Sequence, residues 1–138
     1  MKKALVLVLA ALAIPSVALA AGPPANPGPQ SAPKVMYVLK GTLSAYTAYD
    51  AQTLTNGSIT ILVKHTNHHG MALKDQSLTF AVDANTRISM NDGVTAIADG
   101  DKGIVKVRAA LRIPAADLAT TLQASNARQI IDNGAPTP

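Results

Sequence analysis

The chain has 138 residues, 12 basic and 8 acidic side chains, a formal charge of +4, and neither cysteine nor tryptophan. Disulfide staples and cysteine-ligated metal centres are excluded, and because every acid is an aspartate, paired-carboxylate chemistry would have to use two of them. One Phe and three Tyr are too few for the stacking platforms of a single-strand nucleic-acid surface.

Lys2-Lys3, an apolar run from Ala4 to Ile14 and the small-residue site Ala18-Leu19-Ala20 have the form of a secretory signal peptide over residues 1–20, cleaved after Ala20. The run falls short of the roughly 20 apolar residues that span a hydrocarbon core, and Pro15-Ser16 interrupts it. A secreted or periplasmic protein with no membrane anchor after cleavage is expected. Without a cysteine, no lipoprotein thioether can form. Loss of Lys2 and Lys3 brings the charge from +4 to +2, a weak drive toward nucleic acid or anionic membrane. Residues 21–33, AGPPANPGPQSAP, are uncharged and rich in proline, the composition of a disordered spacer with polyproline character.

From residue 34 the pattern becomes that of a folded domain, expected over 34–132. Val35, Tyr37, Leu39, Leu43 and Ala45 share one parity and Lys40, Thr42 and Ser44 the other, which predicts a half-buried strand with a bend or bulge at Gly41. The chain should reverse between Tyr49 and Gly57, where Asp50 and Asn56-Gly57 favour turns. Ile59, Ile61 and Val63 mark a second strand; Leu78, Phe80 and Val82 mark a third; a short one is expected around Arg87–Met90. Asp99-Gly100-Asp101-Lys102-Gly103 reads as a turn, since a calcium loop would need more acids and a bidentate glutamate.

The clearest alternation runs from Val105 through Val107, Ala109 and Leu111 to Ile113, with Lys106, Arg108 and Arg112 opposite. A helix is expected over about 115–124 behind Pro114, then a short strand at Ile130-Ile131 and a disordered tail over 133–138. Five to six short strands separated by Gly/Asn/Asp turns predict a mainly all-β fold, a small antiparallel OB-like β-barrel with a short C-terminal helix.

Lys40-Gly41-Thr42-Leu43, Asn56-Gly57-Ser58-Ile59-Thr60-Ile61, the run Leu78–Asp83 followed by Thr86-Arg87-Ile88, and Gly100-Asp101-Lys102-Gly103-Ile104-Val105-Lys106-Val107 resemble a class of exported bacterial small β-barrel domains of unknown function. In that family a Gly-Thr strand opens the barrel and a Gly-Asp-Lys turn leads into the closing strand. The resemblance covers residues 35–109, implies the barrel fold, and brings no catalytic residues with it.

All three histidines lie in His65-Thr66-Asn67-His68-His69-Gly70-Met71. Three imidazoles and a thioether form a donor set for Cu, Zn or Ni, so His65, His68, His69 and Met71 are the candidate metal ligands. Against this, adjacent His68 and His69 diverge in an extended chain, and His65 has the inward parity of Ile61 and Val63. No nucleophile elbow, HExxH helix or phosphate-binding glycine loop occurs. The expectation is an exported, non-enzymatic small β-barrel that binds or scaffolds an envelope or extracellular partner, without nucleic acid and without a resident cofactor. The alternative is a metal-binding protein built on the His65–His69 loop.

Overall fold

A computed structural model of the chain describes residues 32–137. The expected signal peptide and nearly all of the spacer lie outside the described residues. Among these, no helix is long and apolar enough to cross a membrane.

Alternation of side chains makes the strands. β1 (Lys34–Thr47) buries Tyr37, Leu39 and Leu43, and β2 (Gly57–Thr66) buries Ile59, Ile61 and Val63. The reversal between them closes through an Asp50–Thr55 bridge, with the Asp50 carboxylate accepting from the Gln52 amide at 2.8 Å. After a 3₁₀ helix (His68–Leu73) come β3 (Ser77–Val82), β4 (Arg87–Met90), β5 (Lys102–Ala110), α1 (Ala115–Gln123) and β6 (Ala127–Asp132). The sheet order is β3-β2-β1-β5-β6-β4.

The fold is mainly β, as expected, but two features differ from an all-antiparallel barrel. β4 pairs with β6 in parallel, because β5 and α1 intervene between them in the chain and return β6 beside β4 in the same sense. The hydrogen-bonded sheet is also open, with β3 and β4 as its edges.

Some boundaries move too. β5 stops at Ala110 rather than reaching Ile113: β1 begins at Lys34, which pairs with Ala110, and the next contact is the Leu111 amide donating to the Pro33 carbonyl at 2.8 Å. Ala45, expected inside, is exposed with φ of 49° at a second bulge in β1. Asn133 and Gly134, assigned to a disordered tail, exchange backbone hydrogen bonds with Lys102 at 2.8 and 2.9 Å.

One core lies on one face of the sheet and includes Leu118 and Leu122, one turn apart on α1, and Leu73 of the 3₁₀ helix. The Tyr37 ring is fully buried, and its hydroxyl donates to the Ala110 carbonyl at 2.8 Å, so the phenol enters the core with its polar end satisfied. α1 also reaches the edge strand, where the Gln123 side-chain oxygen accepts from the Thr79 amide at 3.1 Å.

Candidate functional site

A single extra residue decides where the histidine loop goes. In the β1–β2 ladder Gly41 pairs with Val63 but Lys40 pairs with His65, so Lys64 is unmatched, a β-bulge. The shift reverses the parity of everything beyond it. Val63 is buried, whereas His65, expected to point inward, is exposed on the outer surface.

Asn67 then ties the chain to β1. Its amide nitrogen donates to the Met36 carbonyl at 2.8 Å, its backbone amide to the Val38 carbonyl at 3.2 Å, and its side-chain oxygen accepts from the Val38 amide at 3.4 Å. From this anchor the 3₁₀ helix carries His68 and His69 with ring centroids 3.7 Å apart, and the His69 ring meets Tyr37 edge-on at 6.0 Å. Met71 is 72 % exposed and shares a shallow hollow with His65. The four candidate ligands thus divide into two pairs, and among the described residues no three His, Cys, Asp or Glu side chains come close enough to hold one metal ion.

The same bulge shapes a larger feature that the sequence reading did not single out. A groove of about 470 Å³ is lined by Lys40, Gly41, Thr42, Lys64, His65, Lys102, Gly103, Ile104 and Asn133. Gly41 pairs with Gly103 across β1–β5, and both contribute backbone to the groove. A β-carbon at Gly103 would face the buried Leu43 side chain and one at Gly41 the Leu62 carbonyl, so the groove's shape comes from the flanking Lys40, Thr42, Lys102 and Ile104. Three lysines and an imidazole line it, and no carboxylate does. Lys64 pairs with Asp75 at 3.2 Å, an exposed contact of little energetic weight.

No family model, curated protein or solved structure matches this chain.

A second cavity, of about 440 Å³, lies at the other end of β1 and β5 and includes Lys34, Arg108, Arg128 and Asp83. The Asn126 amide, donating to Asp83 at 2.6 Å, holds that carboxyl below its usual range, with further support from Asn85 and Thr86. Asp83 is therefore an ionised structural turn residue rather than a proton donor.

A third polar feature is buried. Asp132, at the end of β6, is fully buried and lies beside Asp101, which is nearly so. One Asp132 oxygen accepts from the Gly134 amide at 2.8 Å, while the other has no hydrogen-bond acceptor or donor assigned to it among the described residues. Burial, and next the proximity of Asp101, push the Asp132 carboxyl above its usual range.

The sequence pattern pointed to the histidines because all three residues of one rare type stood together. Lys40 and Lys102 gave no such signal, since they lie 62 positions apart and only strand register brings them to one groove. Each does stand beside a glycine of the groove lining, in Lys40-Gly41 and Lys102-Gly103, and that repeated pair was the available clue.

Proposed function

We propose that the chain is an exported, non-enzymatic binding module on a small OB-like β-barrel, and that the groove between Lys40 and Lys102 takes an anionic group of an envelope or extracellular partner. The observation that carries this is the groove itself: cations on its walls and no acid among its lining residues.

The barrel reading draws support from connectivity. β3 and β4, the two edges of the sheet, are joined by only Asp83–Thr86, which limits how far apart they can lie. Thr86 donates to the Ala127 carbonyl at 2.7 Å, and Asn126 to Asp83 at 2.6 Å, so the β3 end and the β6 start are laced together. The resemblance of residues 35–109 to exported small β-barrels points the same way. Export, by cleavage of residues 1–20 to give a periplasmic or secreted protein without an anchor, rests on the N-terminal sequence.

Titrating the mature protein with inorganic phosphate while recording amide spectra tests the groove. Saturable shifts confined to Lys40–Thr42 and Lys102–Ile104, lost in a Lys40→Gln/Lys102→Gln variant, are expected. Shifts scattered over the surface, shifts unaltered in the variant, or none at all would sink the proposal.

A second reading, metal handling by the loop, is favoured by one observation, the contact of the His68 and His69 rings. On that reading Cu(II), Zn(II) or Ni(II) binds calorimetrically and the signal disappears in His68→Ala/His69→Ala. Absence of binding, or binding indifferent to both substitutions, rejects it.

A further inference from the structure

The groove is one end of a longer pattern. Directly paired residues of antiparallel strands present their side chains on the same face. The register Lys34↔Ala110, Met36↔Arg108, Val38↔Lys106, Lys40↔Ile104 and Thr42↔Lys102 therefore sets ten side chains on the outer face of β1 and β5. The intervening Tyr37, Leu39, Val105 and Val107 are buried on the other. Five of the ten are cationic and none is acidic. They extend over eight residue steps of β1, about 27 Å at ~3.4 Å per residue.

Among the described residues, none of these five forms a salt bridge. Lys106 donates to the neutral Gln129 side chain at 3.0 Å and so keeps its charge uncompensated. Of the nearby acids, Asp75 is paired with Lys64, while Asp83, which shares a cavity with Lys34 and Arg108, is hydrogen-bonded to the neutral Asn126, Asn85 and Thr86 and keeps its charge at that end of the ribbon. Between the cations lie Met36, 39 % exposed, and the half-buried Val38 and Ile104. A basic ribbon with aliphatic gaps has no counterpart in the rest of the sheet.

We propose that this β1–β5 ribbon is the docking face for an extended acidic polysaccharide, lying along the strands with one end in the groove. The proposal rests on the reading of the groove as an anion site and supplies its partner class. Successive carboxylates along the polymer meet the lysines and Arg108, and sugar C–H faces meet Met36, Val38 and Ile104. A single-stranded nucleic acid would also satisfy the charges, but its bases need aromatic platforms, and no aromatic residue is among the ten; Tyr37 is buried beneath them.

Calorimetry of the mature protein with oligogalacturonates of increasing length, at low and at moderate salt, tests this. Affinity should grow with length until the ribbon is covered and should fall with salt. Lys34→Gln/Arg108→Gln, at the end remote from the groove, should weaken the long oligomers about tenfold, as two lost charge contacts would. The phosphate response at Lys40–Thr42 should stay intact in that variant, and its melting temperature confirms folding. Affinity independent of length, or wild-type affinity in the remote-end variant, overturns the ribbon. So does tighter binding of oligothymidylate than of oligogalacturonate. If phosphate binds but no polymer does, the ribbon alone fails; if phosphate also fails to bind, the groove reading fails with it.

Discussion

Gly41→Ala is expected to leave the chain largely unfolded, a loss of more than about 3 kcal/mol for one methyl group. A β-carbon at residue 41 would overlap the Leu62 carbonyl oxygen and stand 2.8 Å from its carbon, and both are backbone atoms of the paired strand β2. They cannot rotate away, so the only relief is to part β1 from β2 at the centre of the sheet. Far-ultraviolet circular dichroism through a urea titration reads the effect; a cooperative transition at the wild-type midpoint would refute it. Gly103→Ala is the informative contrast. There the nearest atoms belong to the Leu43 side chain, although the Ile131 carbonyl oxygen, at 2.8 Å, is also close. A side chain can shift, so a folded but weakened protein is expected, with a cost of about 1–3 kcal/mol, typical of overpacking.

Asp132→Asn is expected to stabilise the protein at neutral and alkaline pH and to make little difference near pH 4. The Asp132 carboxyl is held above its unfolded value of 3.8 first by burial and then by Asp101. The folded state therefore binds this proton more tightly than the unfolded chain does. Its contribution is fully present below the unfolded value and is lost as pH rises through the folded one. Asparagine mimics the protonated acid: its oxygen can accept from Gly134, and its NH₂ can donate toward Asp101 without carrying charge. Relief of a buried unpaired oxygen is worth about 1–3 kcal/mol, and each kcal/mol moves the melting temperature of a domain this size by roughly 4–8 °C. Melting curves of both proteins from pH 4 to pH 9 check it. A uniform loss at every pH would mean that Asp132 acts through its shape, not its proton.

The strands were legible because alternation is a local property: burying Tyr37, Leu39 and Leu43, or Val105 and Val107, on one side needs no knowledge of partners. The parallel β4–β6 pair was not, since the sense of a pairing depends on how the chain returns through β5 and α1. His65 shows the limit most sharply. Its parity pointed inward, and one unmatched residue, Lys64, turned it out; a bulge is a property of two strands in register, and neither strand alone declares it. Asp132 was hidden for a related reason, because an aspartate near Asn-Gly reads as a turn until the pairing with Gly103 brings it into the interior. The basic ribbon was half visible: Lys106 and Arg108 stood out on their strand, while Lys34, Lys40 and Lys102 joined them only through the register.

The hydrogen bond from the Thr79 amide to Gln123 bears on how this protein survives at high concentration. An edge strand with free amides is a template on which a second molecule can add its own strand, the first step toward fibrils. In β3 a central donor is already taken by a side chain held on α1, so recruitment must first displace the end of that helix. Self-association is thereby coupled to fraying of a short helix, and conditions that melt α1 locally would open the way to aggregation before the core itself gives way.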